Sequence, residues 1–254
     1  MIELDGRKLA GEMKEGQKAE VAALGFSPSL LILRDNDNGV ISKYVGLKKK
    51  YGAEIGVLVR DEVVSGEEMK ERIRGSEADG IIVQLPLMAT DTEVLSEIPK
   101  EKDVDGLSGG VTATAMAVDE LLKGYKVELS HKKIAVVGRG RLVGAPLIQM
   151  WKERGLDVTV FHRGSDLAEL KLFDIIVTAT GQPGLILSSF VKPGAVVVDA
   201  GTAVDKGVIL GDVSDEVRER TDLFAITSKI GGVGPMTVAC LFQRVILAAQ
   251  KKQD

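Results

Sequence analysis

Apolar residues recur along the first half of the chain in two forms, short continuous runs and longer segments with helical spacing. Short runs of this kind are typical of strands that are buried on both faces. The predicted strands are residues 29–34, 56–60 and 80–87, and the predicted helices are residues 7–25, 41–55 and 65–74. Strands that alternate with helices predict a parallel sheet covered by helices.

The second half of the chain repeats this alternation after a polar stretch at residues 99–110. A connecting helix is predicted at residues 114–123, and a last helix at residues 235–251, where a proline suits the first turn. The predicted strands are residues 133–138, 157–162, 174–180, 195–200 and 223–227. The pattern therefore predicts two α/β domains, and the last helix can pack on either one.

Composition narrows the classes of function. The 254 residues carry a net charge of −4 with scattered basic residues, which argues against nucleic-acid binding and favours a small-molecule substrate. The single cysteine, Cys240, lies in an apolar helical run and is expected to be a buried thiol rather than a nucleophile. Two distant histidines predict no metal site, and the start of the chain does not resemble a secretory signal.

No apolar run reaches the ~18 residues of a membrane-spanning helix, so no membrane segment is expected and the expected location is the cytoplasm.

A glycine-rich segment follows the strand predicted at residues 133–138 and opens a helix, which is the context of a dinucleotide site. Glycines let the backbone approach a pyrophosphate, whose charge is favoured by the free N–H groups at a helix start. A purely structural tight turn is the alternative. The candidate residues are Gly138, Arg139, Gly140, Val143 and Gly144.

The next strand ends at His162 and Arg163, where an NAD enzyme commonly has an acidic residue that binds the ribose. A basic residue there attracts a 2′-phosphate, so Arg139 and Arg163 are candidate phosphate ligands. The alternative is two solvated surface arginines. Thr180-Gly181-Gln182-Pro183 and Asp199-Ala200-Gly201 follow later strands and are loop candidates at the same sheet edge, or plain turns.

The first half carries residues suited to proton transfer. Tyr44 and Lys48 lie four apart on one predicted helix, so both can reach one ligand. Gln84 ends a buried strand, and its amide needs a partner, which can be the lysine amine or nearby backbone. Asp103 and Asp105 are either turn residues or acceptors for an amino-pyrimidinone edge.

Six segments in this order resemble the bifunctional methylenetetrahydrofolate dehydrogenase/methenyltetrahydrofolate cyclohydrolase family. Together they span nearly the whole chain, and six ordered matches are far more specific than any one. They are Tyr44-Val45 with Lys48 and Lys50, Val83-Gln84-Leu85-Pro86-Leu87, Lys102-Asp103-Val104-Asp105-Gly106, Val137-Gly138-Arg139 with Val143-Gly144 and Pro146, Lys192-Pro193-Gly194-Ala195-Val196, and Gly231-Gly232-Val233-Gly234-Pro235-Met236-Thr237.

The resemblance implies that Lys48 is the catalytic lysine, that Gln84 tunes it and that Tyr44 stacks on the folate. It also implies that Asp105 anchors the pterin and that Arg139 contacts the phosphate of NADP. Other implied substrate-binding residues are Leu85, Pro86, Gly232, Gly234, Pro235 and Thr237. The implied cofactor-binding residues are Gly138, Arg139, Gly140, Val143, Gly144, His162, Arg163, Ala179, Thr180, Gly181, Gly201 and Thr202.

The implied fold is α/β with two domains, an N-terminal catalytic domain and a Rossmann-like NADP-binding domain. The last helix returns to the first domain, which gives residues 1–114 with 235–254 and residues 115–234. A homodimer with tetrahydrofolate derivatives as substrates is expected.

The sequence departs from the family pattern at Ile41, Gly140 and Arg163, in a shortened loop after Gly106, and at two short segments. These are Thr112-Ala113-Thr114-Ala115 and Ser228-Lys229-Ile230. Two alternatives therefore remain at this point: a relative that binds NADP or folate without turnover, and another two-domain NADP-dependent dehydrogenase.

Overall fold

Strands and helices alternate along this computed structural model, which describes residues 1–88, 93–205 and 208–252. The elements in chain order are β1 (Ile2–Leu4), α1 (Gly6–Leu24), β2 (Ser29–Arg34), α2 (Gly39–Ile55), β3 (Leu58–Val63), α3 (Gly66–Arg74), β4 (Gly80–Val83), α4 (Ala113–Gly124), β5 (Ile134–Val137), α5 (Gly144–Glu153), β6 (Val158–Phe161), β7 (Ile175–Thr178), β8 (Val196–Asp199), β9 (Ala203–Asp205), β10 (Val208–Leu210), α6 (Asp215–Arg218), β11 (Ala225–Thr227) and α7 (Val233–Gln250). Short 3-10 helices occupy Glu93–Glu97, Leu167–Leu172 and Ser188–Phe190.

Contacts divide the chain into two compact units. The six-stranded unit consists of Met1–Ala10 and Thr114–Thr237, and the three-stranded unit consists of Gly11–Ala113 and the chain from Val238 onward. The fold class predicted from the sequence, α/β with parallel sheets, is confirmed. Residues 238–250 of α7 belong to the three-stranded unit, which is the unit that the last helix was expected to join.

The sheet of the three-stranded unit has the order β3-β2-β4, with all strands parallel. Its central strand β2 carries a continuous apolar run, Leu30 to Leu33, that is buried, which is why β2 lies between two neighbours. Because the strands are parallel, β2 and β4 end at the same edge of the sheet. Residues that follow β4 therefore lie near residues that follow β2.

Helices α1, α2 and α7 meet in the three-stranded unit around Tyr51. The ring of Tyr51 stacks on the buried ring of Phe242 with centroids 5.0 Å apart. Its hydroxyl donates a hydrogen bond of 2.8 Å to Oε1 of Gln17, whose amide nitrogen donates to the carbonyl of Ala239. These contacts fix α7 against the helix that carries Lys48.

The sheet of the six-stranded unit has the order β1-β11-β8-β7-β5-β6 and is parallel throughout. Strand β5 comes first among β5 to β8, yet β6 lies on one side of it and β7 on the other. The strand order therefore reverses at β5, and ligands of open α/β sheets bind at such a reversal, beyond the carboxyl ends of the strands.

Two features of the six-stranded unit differ from the sequence expectation. Strand β1 was not predicted, because three residues are too few to show a pattern, and it pairs with β11 in the register Ile2↔Ala225 to Leu4↔Thr227. This pairing places residues 1–10 in the six-stranded unit, whereas the predicted first domain included them. The antiparallel pair β9-β10 was also missed. The division into folding domains near residues 114 and 235 stays a prediction.

Helix α7 satisfies the length and composition criteria for crossing a membrane, with a mean hydropathy of 1.3 over 18 residues. The sequence expectation was different because it counted uninterrupted apolar runs, which Gln243 and Arg244 break. Half of this window is buried inside the fold. The core helix of a soluble protein satisfies the same criteria, so the finding carries little weight for a membrane location.

Candidate functional site

Lys48 of α2 and Gln84, the first residue after β4, form the central contact of the three-stranded unit's candidate site. The Lys48 Nζ donates a hydrogen bond of 2.5 Å to Oε1 of Gln84. The Gln84 amide nitrogen donates to the Leu85 carbonyl at 2.9 Å, which fixes the amide orientation. Of the two partners that the sequence left open for Gln84, the structure therefore has both, the amine and a backbone carbonyl.

Burial changes the ionisation of Lys48. Because the amine is withdrawn from water, the pKa of Lys48 is lowered from its ordinary value, while the negative charge of Asp105 opposes this shift. A lowered pKa increases the fraction of neutral amine near neutral pH. A neutral amine can accept a proton, and its protonated form can return one, as general acid-base chemistry requires.

Asp105 is partly buried and is the second ionisable group of this site. Burial raises the pKa of Asp105, and the positive charges of Lys48 and Arg244 oppose that shift, whereas Asp103 adds to it. Within residues 1–88, 93–205 and 208–252, no hydrogen bond to the Asp105 carboxylate is found. Its oxygens are thus available as acceptors for a ligand.

Asp103 has a different role from Asp105. Its carboxylate accepts hydrogen bonds from the backbone N–H groups of Gly106 at 2.8 Å, Leu107 at 3.2 Å and Ser108 at 2.8 Å. The turn role that the sequence left open for both aspartates therefore belongs to Asp103. Spacing alone could not distinguish the two.

Tyr44 lies one helical turn before Lys48 on α2, and its side chain is 37% exposed. A ring on the same helix face as the amine, and open to solvent, can stack on a flat ligand. Leu85 is partly buried and Pro86 is exposed, and the peptide bond between them is cis. The structure thus brings Lys48 and Gln84 into contact, couples Asp105 to Lys48, and leaves Tyr44 accessible.

The glycine-rich loop of the six-stranded unit connects β5 to α5. Gly138 has a φ of 104°, a region that favours glycine, and a Cβ there would lie 2.6 Å from the Ala179 carbonyl oxygen. Gly144 begins α5, and a Cβ on it would overlap the Gly138 carbonyl oxygen. The loops after β5 and β7 therefore meet where the strand order reverses, and the close backbone approach that a pyrophosphate needs is present.

A buried carboxylate holds the loop after β7. Asp212 is fully buried and accepts hydrogen bonds from the Thr178 hydroxyl at 2.6 Å, Thr180 N–H at 2.6 Å and Gln182 N–H at 2.9 Å. These donors bracket Thr180 and Gly181, two candidate cofactor-binding residues. Sequence reasoning missed Asp212, although a lone aspartate beside a buried valine, in Gly211-Asp212-Val213, could have indicated it.

Asp199 supports the neighbouring loop, which contains Gly201 and Thr202. Its carboxylate accepts from the N–H groups of Gly201 at 3.1 Å and Asp212 at 3.0 Å, and it forms a 2.5 Å ion pair with Arg218. Burial raises the pKa of Asp199, and the hydrogen bonds from backbone N–H groups and the charge of Arg218 oppose that shift. The two carboxylates together fix the loops at the carboxyl ends of β7 and β8.

Several cofactor candidates lie on the surface of the six-stranded unit. The side chains of Arg139 and Arg163 are exposed, as are Gly140, His162 and Thr202. The ring Nδ1 of His162 lies 3.0 Å from the Arg163 carbonyl oxygen. Exposed guanidinium groups fit both possibilities that the sequence left open, phosphate ligands and solvated arginines, so geometry does not choose between them.

The residues at the start of α7 belong to the six-stranded unit, which ends at Thr237. Gly232 is buried, Gly234 is exposed, and Pro235 lies in the first turn of α7, which begins two residues earlier than predicted. The Thr237 hydroxyl donates to the Val233 carbonyl at 3.2 Å. These four residues at the start of α7 are therefore not part of the unit that holds Lys48 and Gln84.

The three-stranded unit contains a cavity of ≈ 310 Å³ that is not lined by the central residues of the candidate site. Its lining residues include Asp103, Val104 and Arg244, but not Lys48, Gln84 or Tyr44. Among the described residues, no group of three or more His, Cys, Asp or Glu side chains could hold a metal ion.

Two family models match nearly the whole chain. A model described as tetrahydrofolate dehydrogenase/cyclohydrolase, catalytic domain, matches residues 4–105. A model described as tetrahydrofolate dehydrogenase/cyclohydrolase, NAD(P)-binding domain, matches residues 112–253.

Individual relatives match over the same length. The bifunctional protein FolD of Macrococcus caseolyticus is 37% identical over 279 residues, covering 99% of this chain and 98% of the relative. The structure of the Campylobacter jejuni FolD methylenetetrahydrofolate dehydrogenase/cyclohydrolase is 32% identical, with a TM-score of 0.92 and 99% coverage of both chains. The Trypanosoma brucei enzyme, complexed with NADP cofactor and inhibitor, is 31% identical, with a TM-score of 0.91 and coverage of 100% of this chain and 98% of that one.

Replacing Asp212 by asparagine is expected to weaken NADP binding by about tenfold, because an amide cannot accept hydrogen bonds from all the donors that this carboxylate satisfies. The dissociation constant measured by fluorescence titration tests this. Asp222→Asn is the matched control, since Asp222 lies in the same unit and pairs with Arg220 at the surface. Parental NADP affinity in Asp212→Asn would show that the loop after β7 does not contribute to the nucleotide site.

Proposed function

The chain belongs to the tetrahydrofolate dehydrogenase/cyclohydrolase family, and we propose that Lys48, with Gln84 and Asp105, carries its folate chemistry. It is an NADP-dependent enzyme that oxidises 5,10-methylenetetrahydrofolate to 5,10-methenyltetrahydrofolate and then hydrolyses this product to 10-formyltetrahydrofolate. The observation that carries the residue assignment is the hydrogen bond of 2.5 Å between the Lys48 amine and the Gln84 amide.

The first reaction makes modest demands on protein side chains. The methylene carbon lies between two nitrogens, whose lone pairs stabilise the cation that remains after hydride loss, so positioning matters more than a strong base. NADP, when bound, accepts the hydride. Tyr44 supplies an exposed ring on which the folate can stack, and Asp105 supplies carboxylate oxygens that accept hydrogen bonds from the amino-pyrimidinone edge.

The second reaction requires proton transfers. Water adds to the methenyl carbon, one of the two carbon–nitrogen bonds breaks, and the departing nitrogen needs a proton. Lys48 in its neutral form takes a proton from the attacking water, and its protonated form delivers one to the nitrogen. The hydroxyl left on the carbon loses its proton to solvent as the formyl carbonyl forms. Gln84 keeps the amine oriented, because its own amide nitrogen is held by the Leu85 carbonyl. Leu85 and Pro86 then border the substrate.

The six-stranded unit fits a dinucleotide at the loops after β5 and β7, where glycines leave room for a pyrophosphate. Val143 and Gly144 lie at the start of α5, whose first N–H groups favour negative charge. Arg139 and Arg163 bind the 2′-phosphate. The family resemblance supports the assignment of His162, Ala179, Thr180, Gly181, Gly201 and Thr202 to nucleotide binding. It also supports the assignment of Gly232, Gly234, Pro235 and Thr237 to substrate binding.

The proposed assembly is a cytoplasmic homodimer that binds neither nucleic acid nor membranes. Its support is the family membership together with the acidic overall charge of −4. The two alternatives, a relative without turnover and another NADP-dependent dehydrogenase, are not favoured, since both family models match and the Lys48–Gln84 contact is intact.

The assignment of Lys48 is tested by a spectrophotometric assay with methylenetetrahydrofolate and NADP that follows NADPH and methenyltetrahydrofolate separately. The parental enzyme is expected to form NADPH without lasting accumulation of methenyltetrahydrofolate. Lys48→Met is expected to lower methenyl hydrolysis by about 100-fold or more, the range of general acid-base catalysis, and to leave NADP affinity unchanged.

The matched control for this variant is Lys49→Met, which removes an amine from the same helix. The side chain of Lys49 is 53% exposed. Lys49→Met should hydrolyse methenyltetrahydrofolate at the parental rate. Parental hydrolysis by Lys48→Met would refute the assignment of Lys48, and absence of turnover by the parental enzyme would refute the proposed function.

Replacing Arg163 by glutamine is expected to raise KM for NADP by about tenfold, since a charge-assisted hydrogen bond to the 2′-phosphate is lost. KM for NAD, which lacks that phosphate, should change by less than about twofold. Arg141→Gln, at another exposed position in the glycine-rich segment, serves as the control. Equal changes for both nucleotides would mean that Arg163 does not distinguish them.

A further inference from the structure

The loop at residues 103–113 carries Asp105 and connects the segment beside β4 to helix α4. At its start, Ile81 pairs with Asp103 in a parallel bridge, and the Ile81 N–H donates to the Lys102 carbonyl at 2.7 Å. At its end, the Ala113 N–H donates to the Asp105 carbonyl at 3.2 Å. The loop therefore closes on itself, and the direction of the Asp105 side chain depends on how the loop is held.

One guanidinium group reaches both ends of loop 103–113. Arg244 of α7 donates from Nη1 to the Val111 carbonyl and from Nη2 to the Asp103 carbonyl, the latter at 2.8 Å. The planar fork of arginine fixes two acceptors in one geometry, which a lysine amine cannot do. A side chain from the last helix thus tethers the loop that carries a proposed substrate ligand.

The charge of Arg244 also acts on this loop. The ionisable groups that face the Asp105 carboxylate are Lys48 from α2, Arg244 from α7 and Asp103 from the loop itself. Burial raises the pKa of Asp105, and among the described residues Lys48 and Arg244 oppose the shift. Loss of Arg244 would remove one of these two opposing charges, so the pKa of Asp105 would rise further.

We propose that Arg244 is a positioning residue for folate binding, whose fork holds loop 103–113 so that Asp105 presents a carboxylate to the pterin. The proposal rests on the proposed role of Asp105. It assigns to the last helix a part in the folate site, although Arg244 reaches the substrate only through the loop. Removal of Arg244 should therefore affect the folate and leave the nucleotide alone.

The test is Arg244→Gln in the full chain. KM for methylenetetrahydrofolate is expected to rise about tenfold or more, the usual effect of losing a hydrogen bond to a charged group, while KM for NADP changes by less than about twofold. Protonated Asp105 accepts poorly, so folate binding falls as pH drops through its pKa. In Arg244→Gln, that fall is expected at higher pH than in the parental enzyme, and a purely structural defect would not move it.

Arg244→Lys separates position from charge. It keeps the positive charge but loses the fork, so KM for methylenetetrahydrofolate should rise while the acid limb of the pH profile stays near that of the parental enzyme. If Arg244→Gln does not fold, KM for methylenetetrahydrofolate in Arg244→Lys tests the proposal by itself. Gln243→Ala is the matched control, because it removes hydrogen bonds to Gln17 and Glu20 from the same helix without touching the loop.

Parental KM values and a parental acid limb in both arginine variants would overturn the proposal, as would a similar rise in KM for folate in Gln243→Ala. This result is distinguishable from failure of the proposed function, since an inactive parental enzyme would refute the latter before any arginine variant is compared. The proposal is supported if KM for folate rises in both arginine variants and the acid limb moves to higher pH only in Arg244→Gln.

Discussion

The candidate site depends on one contact, the hydrogen bond between the Lys48 amine and the Gln84 amide. It requires α2 and the end of β4 to be adjacent, which the parallel order β3-β2-β4 provides by ending β2 and β4 at one edge. A buried amine is costly to keep charged, so the same burial that shields the contact lowers the pKa of Lys48. Fold, contact and ionisation state therefore follow from one arrangement of strands.

In the six-stranded unit, too, the order of the parallel strands brings the site residues together. Reversal of the strand order at β5 brings the loops after β5 and β7 together, and Gly138 permits the close approach. Asp212 then satisfies backbone N–H groups that would otherwise lose hydrogen bonds on burial. Asp103 plays the corresponding part in the three-stranded unit. Each of these two buried carboxylates fixes a loop by accepting hydrogen bonds from its backbone N–H groups, so that other residues of the loop can contact a ligand.

The sequence predicted the alternation of elements because continuous apolar runs and helical spacing are local properties. It also required a partner for Gln84, because an amide at the end of a buried strand must be satisfied, but it left that partner open between the Lys48 amine and nearby backbone. It could not separate Asp103 from Asp105, since both precede the same glycine and only the folded loop shows which carboxylate accepts the backbone N–H groups. It missed Asp212 and Arg244, whose partners are distant in sequence, 133 residues away for the Arg244 bond to Val111.

The most direct test of this account is the ionisation of Lys48, measured by an NMR titration of protein labelled at the lysine side-chain nitrogens. The signal is assigned by its absence from the spectrum of Lys48→Met. The account predicts that Lys48 titrates at a pH clearly below the ordinary lysine pKa, because its amine is buried. A Lys48 signal that titrates at the ordinary lysine pKa would contradict it, since the amine would then remain charged throughout the neutral range and could not accept a proton from water.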